Sequence, residues 1–323
     1  MVAGESDEDE TDPMKVLLPD EPEVEKRLTS ADEDAQKQRL QDNHIHSIDT
    51  TVVIRQLPSQ GLSFQLWPAA TTLVTLLDQL RSHPTNSPLS PIFSALSNGQ
   101  DHRPLRILEL GSGTGLVGIV AAATLSANVT VTDLPHVIPN LQFNVQMNSH
   151  IWGPHGGTVE VAPLRWGEAD DVELIGREFD LILASDVVYH DHLYDPLLQT
   201  LRMLMGLEGA DNKKMMFVMA HLRRWKKESA FFRKAKKLFQ VETLHVDRPT
   251  QGSRVGVVTY SFRGKSQNFE WYLTILLMNA ELPMLFPLPW EICWRNSVAL
   301  LWIFSRLGSY KHNTKYSLET IKF

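Results

Sequence analysis

The sequence predicts an α/β fold built on an open, mostly parallel sheet with helices on both faces. Three observations carry that prediction. β-rich runs recur from Leu105 to Phe262, helix-compatible stretches separate most of them, and the first run ends in a glycine-rich turn. In such sheets ligands bind beyond the carboxyl ends of the strands, so the residues closing each run are the ones to inspect.

Taken in order, residues 1–43 are rich in Asp, Glu, Lys and Gln and poor in aromatics. That composition cannot bury enough apolar surface to offset ordering entropy, and predicts a disordered arm with room for a short helix near its end. A domain is expected over residues 44–264. Its first part, 44–104, opens with DTTVVIRQL and LSFQLWPAA on either side of PSQG, followed by TTLVTLLDQL with apolar residues at helical spacing. The pattern reads as strand, turn, strand, helix. RSHPTNSPLSPIFSALSNGQDHRP, with its Pro, Ser and Asn, reads as a surface loop. The core, 105–264, holds the runs LRILELG, NVTVTDL, TVEVAPLRW, FDLILASDVV, KMMFVMAHL, FQVETLHVD and RVGVVTYSF. Residues 265–323 form an apolar extension cut by Glu270, Glu281, Glu291 and Arg295 into pieces of about ten residues, short of the ~20 that a membrane-spanning helix needs. Helices packed on the domain, or a tail without an evolved role, are the expectations there.

Composition narrows the function classes. The 323 residues are 43% hydrophobic, enough for one large α/β domain or two small ones. Cys293 is the only cysteine, which excludes an intrachain disulfide and a cysteine-based structural zinc site and points to a reducing compartment. The acidic start MVAGESDEDETDPMK is unlike a secretory or mitochondrial leader, so cytoplasm, with the nucleus as a second place, is expected. A net charge of -7 argues against nonspecific nucleic-acid binding through overall charge.

The glycine loop needs its context to be read. Gly113, Gly115 and Gly118 alone satisfy a dinucleotide pattern, which is a weak signal. The full run is E-L-G-S-G-T-G, with Glu109 ending the strand and Gly111, Gly113 and Gly115 at alternate positions. Asp133 closes the next strand at roughly the 20-residue distance at which a carboxylate meets ribose hydroxyls. Two carboxylates facing one nucleoside site would repel a pyrophosphate and suit a ligand with a cationic end, for which S-adenosylmethionine qualifies. A nicotinamide dinucleotide, with Glu109 merely capping the loop, is the alternative. Further along, PLRWGEADD sets Trp166 where an indole could stack on adenine, and FDLILASDVVYH ends with Asp186 and Tyr189.

With E-L-G-S-G-T-G, Asp133, LRWG and D-V-V-Y in that order, the chain resembles the seven-strand lysine methyltransferases of methyltransferase family 16, of the methyltransferase-like 21 type, over roughly His46 to Gly264. GLSFQLWPAATTL is similar to the segment that closes over the cofactor in that family. The resemblance implies a Rossmann-like seven-strand sheet and transfer of a methyl group from S-adenosylmethionine to the ε-amine of a lysine in a non-histone protein. It implies cofactor contacts at Trp67, Gly111, Ser112, Gly113, Asp133, Trp166 and Ser185, with Glu109 and Gly115 beside them in the loop. It associates Asp186 and Tyr189 with the substrate lysine and activity. Asp186 would capture and align the incoming ammonium rather than deprotonate it, since a carboxylate raises a lysine's pKa. A monomer is expected, without metal or membrane partner.

His190, Asp191 and His192 offer no evident third metal ligand nearby. HLRRWKKESAFFRKAKKLF predicts an amphipathic helix whose basic residues are either solvated or a docking face for an acidic protein, with nucleic acid a weaker option because the aromatics fall at core spacing. The competing functions are a small-molecule or nucleic-acid methyltransferase using the same cofactor site, a noncatalytic binding module on this fold, and last a dehydrogenase.

Overall fold

The computed structural model describes residues 38–97, 103–206, 215–247 and 256–265. By contact density the chain divides into residues 1–265 and 266–323, and the second unit lies outside the described residues, as do residues 1–37. The readings of an acidic arm up to residue 37 and of the apolar extension therefore fall outside the described structure. Within residues 38–265 no helix is long and apolar enough to cross a membrane among the described residues.

A hairpin comes first, β1 (Arg39–Ile45) and β2 (Thr50–Gln56) pairing antiparallel. Helices α1 (Pro68–Ser82) and α2 (Ser90–Ser97) follow. The core then alternates β3 (Arg106–Leu110), α3 (Leu116–Leu125), β4 (Asn128–Asp133), α4 (Ile138–Met147), the one-turn α5 (Ser149–Trp152), β5 (Thr158–Pro163), α6 (Ala169–Ile175), β6 (Leu181–Ser185), α7 (Tyr194–Met205) and β7 (Met216–Leu222). It closes with α8 (Ser229–Leu238), β8 (Phe239–Val246) and β9 (Val257–Gly264).

These strands build one seven-stranded sheet in the order β5-β4-β3-β6-β7-β9-β8, parallel from β5 to β7, with β9 antiparallel to both β7 and β8. Side chains of a strand point alternately to the two faces, and the apolar residues follow that period. Ile107, Leu181, Leu183, Met216 and Val218 enter a core with α1, α3 and α4, while Leu108, Ile182, Ala184, Phe217 and Met219 enter a second core with α6, α7 and α8. A sheet covered on both faces needs near-continuous apolar strands, which β3, β6 and β7 supply. The predicted fold class is thus the observed one. Strand order reverses between β3 and β6, and a crevice opens at their carboxyl ends.

The hairpin is fastened by a ladder of amides. Asn140, Asn144 and Asn148 fall one helical turn apart, and four helical residues rise about 6 Å, close to the span of two strand residues at about 6.7 Å. Val53 N–H donates to Asn148 Oδ1 at 3.0 Å and Asn148 Nδ2 returns to the Val53 carbonyl at 2.9 Å. One step on, Arg55 N–H donates to Asn144 Oδ1 at 2.9 Å and Asn144 Nδ2 to the Arg55 carbonyl at 3.1 Å. Asn140 Oδ1 accepts from Arg55 Nε at 2.8 Å. Side chains of a helix stand in for a missing strand on the free edge of β2, and satisfy its backbone groups.

Four local readings are corrected. Residues 39–43 belong to β1 rather than to the arm or a helix, because pairing with β2 orders them. LSFQLW is not a strand: Pro58 and Gly61, the latter at φ 122°, fold residues 58–64 into two 3-10 turns that bury Phe64. The loop at 81–104 contains α2, where Leu89, Ile92 and Leu96 recur at helical spacing and are buried. The helix expected from His221 begins only at Ser229, since His221 and Leu222 complete β7 and Trp225 is extended.

Candidate functional site

A cavity of about 860 Å³ opens at the carboxyl edge of the sheet, bounded by the lid residues Leu62–Trp67, the glycine loop, and the ends of β4, β5, β6 and β7. Its volume lies in the range of pockets for small molecules and cofactors.

One wall is made of backbone. After β3 the chain turns at Gly111, Gly113 and Gly115, with φ of 61°, 56° and 87°. Close approach as well as conformation demands the first: a Cβ on Gly111 would stand 2.9 Å from the Trp166 ring. Ser112 pins the loop to β4, its N–H donating to the Thr132 carbonyl at 2.8 Å while its Oγ accepts from Thr132 N–H at 3.0 Å. Asp133 then fixes the loop from the side, accepting from Gly113 N–H at 2.7 Å through Oδ2 and from Leu134 N–H at 2.7 Å through Oδ1. Burial raises the pKa of this carboxyl, against the two backbone donors that favour its charge. Trp67 begins the helix α1 from the lid and donates its indole N–H to the Leu62 carbonyl at 2.9 Å. Asn144 reaches in from beneath, donating Nδ2 to the Thr114 carbonyl at 2.9 Å, so one amide ties hairpin to loop.

The opposite wall is made of charges. Asp186 follows β6 in left-handed backbone, φ 60°, unusual for a residue with a Cβ. Its carboxylate accepts both Nη groups of Arg224, Nη1 at 2.9 Å through Oδ1 and Nη2 through Oδ2, and the Leu222 N–H at 3.2 Å. His221, fully buried, stands with Nε2 3.0 Å from Glu228 Oε2 and Nδ1 3.6 Å from Asp186 Oδ1. Glu228 also accepts the Arg224 N–H at 3.1 Å. Burial works against charge on Asp186, yet the bonds from His221 and Arg224 and the guanidinium charge outweigh it and hold the carboxyl below its ordinary value. Burial likewise opposes charge on His221, and the two carboxylates reverse that and raise its pKa. The result is a buried cluster in which two carboxylates share one guanidinium and one imidazole. Arg224 lies 5.4 Å from the Trp67 ring centroid, joining this wall to the lid.

Of the residues expected from sequence, Trp67, Gly111, Ser112, Gly113, Asp133, Trp166, Ser185, Asp186 and Tyr189 all line the one cavity. Glu109 and Gly115 do not. Glu109 is fully buried beneath the loop, accepting the Gly118 N–H at 2.9 Å through Oε2, and burial pushes its pKa up to about 8 despite bonds from Ser112 and Gly118. The expectation of two carboxylates facing the ligand is therefore corrected to one, Asp133, and the argument against a pyrophosphate loses its Glu109 half. Gly115 starts α3, where a Cβ would meet Leu141 at 2.6 Å. Sequence reasoning missed Arg224, His221, Glu228 and Asn144 as parts of the site. The ends of runs were the places to look, and His221 lies in the last two residues of β7 with Arg224 two residues beyond it; the asparagine spacing at 140, 144 and 148 was also in view. His190 and His192 stack at 5.3 Å, and among the described residues no group of three metal-ligating side chains converges.

Residues 47–238 match a protein family described as lysine methyltransferase. Similar proteins include mouse EEF1A lysine methyltransferase 3, 36% identical over 149 residues, covering 46% of this chain and 53% of the mouse protein. The zebrafish protein N-lysine methyltransferase METTL21A is 37% identical over 149 residues, covering 46% of this chain and 63% of its own. A third, protein-lysine N-methyltransferase rrg1 of Schizosaccharomyces pombe, is 34% identical over 165 residues, covering 49% of this chain and 48% of its own. The chain spans about half the length of the curated relatives it matches. The matched stretch holds both walls of the cavity and more than half of the sequence, and on that ground the chain belongs to the lysine methyltransferase family.

Proposed function

We propose that this chain is an S-adenosylmethionine-dependent methyltransferase acting on the ε-amine of a lysine in a protein. The observation that carries the reading is Asp133, which closes β4 beside a glycine loop turned by φ-positive residues, with Trp166 packed on Gly111 and Trp67 above. A carboxylate at this place suits ribose hydroxyls, the glycines let a ligand approach backbone, and the indoles offer apolar walls to a purine. These residues fit the cofactor: Asp133 would hold its ribose, the Gly111–Gly113 turn its amino-acid end, and Trp166 its base. S-adenosylmethionine supplies an electrophilic methyl group that an amine lone pair can take in one displacement. The chain's own work is alignment and exclusion of water, for which a two-walled cavity under a lid segment is suited.

The amine must arrive neutral, although an unperturbed lysine has a pKa of about 10.4. On the acceptor wall, Asp186 already accepts two bonds from Arg224, so an incoming ammonium finds a compensated pair rather than a free carboxylate. In this reading Asp186 is a positioning residue: it fixes Arg224 and, through its left-handed backbone, the turn that brings Tyr189 into the cavity. With no free carboxylate to hold the ammonium, burial of the amine in the cavity favours its neutral, nucleophilic form. Tyr189 forms part of the same wall; burial and the Asp133 charge raise its pKa, keeping its hydroxyl protonated.

Calorimetric titration with S-adenosylhomocysteine tests the cofactor, with NADH as the control ligand. Micromolar binding that Asp133→Ala loses is the expected outcome, followed by transfer of labelled methyl to lysine in cell extract. Preference for NADH, or absence of binding by folded protein, would sink the proposal.

A further inference from the structure

The charge of this protein is unevenly placed. The chain as a whole carries -7, yet Arg223 to Leu238 holds eight basic side chains and one acid, Glu228. That acid is buried and spent on His221 and the Arg224 N–H, so it neutralises nothing at the surface. Arg224 is paired with Asp186 and Lys234 with Asp195. Arg223, Lys226 and Lys227 are exposed and form no ion pair in the described structure. Lys227 lines the cavity and lies 5.4 Å from the Trp225 ring, while Arg223 and Lys226 flank the Arg224–Trp225 pair that also lines it.

The rest of the rim differs. The lid presents Leu62, Ser63, Gln65 and Leu66, without a charge. Across the cavity, Arg165 is paired with Asp171, and Glu168 and Asp170 stand nearby, so that side has no excess of positive charge. His190 and His192 stack next to Asp191, whose exposed carboxylate is the one acid between the two rings. One side alone of the cavity mouth is therefore cationic, and it borders the acceptor wall rather than the cofactor wall.

We propose that Arg223, Lys226 and Lys227 form a docking rim for acidic residues flanking the target lysine, so that the substrate is a lysine in an acidic segment of a protein. The inference rests on the methyltransferase reading and deepens it. Three exposed cations without ion-pair partners at one side of the mouth concentrate field at one place, and an acidic segment gains both steering and a fixed direction across the mouth. The target lysine then enters beside Arg224 while its neighbours stay in solvent on the rim. Protein is favoured over nucleic acid because two of the three aromatics of this segment are spent on packing, Phe231 buried in the core and Phe232 against it at 5.4 Å, which leaves Trp225 alone where a run of bases needs successive platforms.

The test uses full-length protein saturated with S-adenosylhomocysteine, whose binding is first measured by calorimetry. Fluorescence anisotropy then follows two labelled peptides, each with one central lysine, flanked by three glutamates or three glutamines on either side. The glutamate peptide is expected to bind about tenfold tighter at low salt, the difference shrinking as salt shortens the Debye length below about 10 Å. Arg223→Glu with Lys226→Glu should erase the preference while cofactor binding persists, and Arg223→Gln with Lys226→Gln should reduce it, guarding against a folding artefact of charge reversal. Equal binding of the two peptides with cofactor bound overturns the rim and leaves the methyltransferase reading standing; loss of cofactor binding in the native chain overturns the reading itself. Tighter binding of a single-stranded oligonucleotide than of the glutamate peptide overturns the choice of partner. So does a glutamate peptide that binds only after Glu5, Asp7, Glu8, Asp9 and Glu10 are neutralised, since the chain's own acidic stretch would then be the occupant.

Discussion

The two walls of the cavity solve opposite problems. The cofactor wall leaves functional groups unspent: three φ-positive glycines open the backbone, and Asp133 takes only its local N–H groups. The acceptor wall spends its groups on each other, with Asp186, Arg224, His221 and Glu228 closed into one buried set. A wall that must grip a ligand keeps capacity in reserve, whereas a wall that must hold an electrostatic environment does so by fixing its charges against each other.

The largest effect should come from breaking the wall of paired charges. Arg224→Ala strands a buried carboxylate, at a cost of about 3–5 kcal/mol in stability by denaturant unfolding, and adding Asp186→Asn should recover part of that loss. A double variant that loses the sum of the two single losses would show the two residues to be uncoupled. Next, Asp133→Ala should lower S-adenosylhomocysteine affinity about 100-fold and also cost about 1–3 kcal/mol of stability, because the Gly113 and Leu134 N–H groups lose their acceptor.

Smaller over any single pH unit is an effect beneath the cofactor wall. Glu109, whose pKa rises to about 8 from an unfolded value near 4.5, keeps its proton on folding while the unfolded chain releases it. Stability should therefore fall as pH rises between those values, by about 1.4 kcal/mol per pH unit from this group, and the slope should flatten in Glu109→Gln. An unchanged slope would place the proton elsewhere. Last, Asn144→Ala should weaken cofactor binding about tenfold, since it alone of the ladder bonds the Thr114 carbonyl, whereas Asn148→Ala should cost only stability, about 1–3 kcal/mol. Like effects of the two on affinity would mean that the hairpin, and not the loop contact, supports the site.

The same contrast explains what could be read from the sequence. The cofactor wall is local: E-L-G-S-G-T-G occupies one turn, Asp133 ends the adjacent strand, and strand period and turn chemistry locate both without a structure. The acceptor wall is assembled across 36 to 38 residues, between Asp186 and the stretch Leu222 to Arg224, and no periodicity announces which basic residue meets which acid. Glu109 shows the limit from the other side. Its position was correctly at the end of β3, but a strand end offers two directions, and this side chain turns under α3 to meet the Gly118 N–H instead of the cavity. The hairpin failed for a related reason: β1 is polar and weakly patterned, and only pairing with β2, itself fastened to a helix, makes it a strand.

The placement of indoles has an optical consequence. Three of the eight tryptophans, Trp67, Trp166 and Trp225, line the same cavity, one from the lid and one from each wall. A purine stacked on Trp166 would quench its emission, and a segment crossing the rim would alter that of Trp225. Single Trp→Phe changes at these positions would thus give the unlabelled protein separate signals for the proposed cofactor and the proposed substrate segment, and the order in which they come could be timed in a stopped-flow mixer.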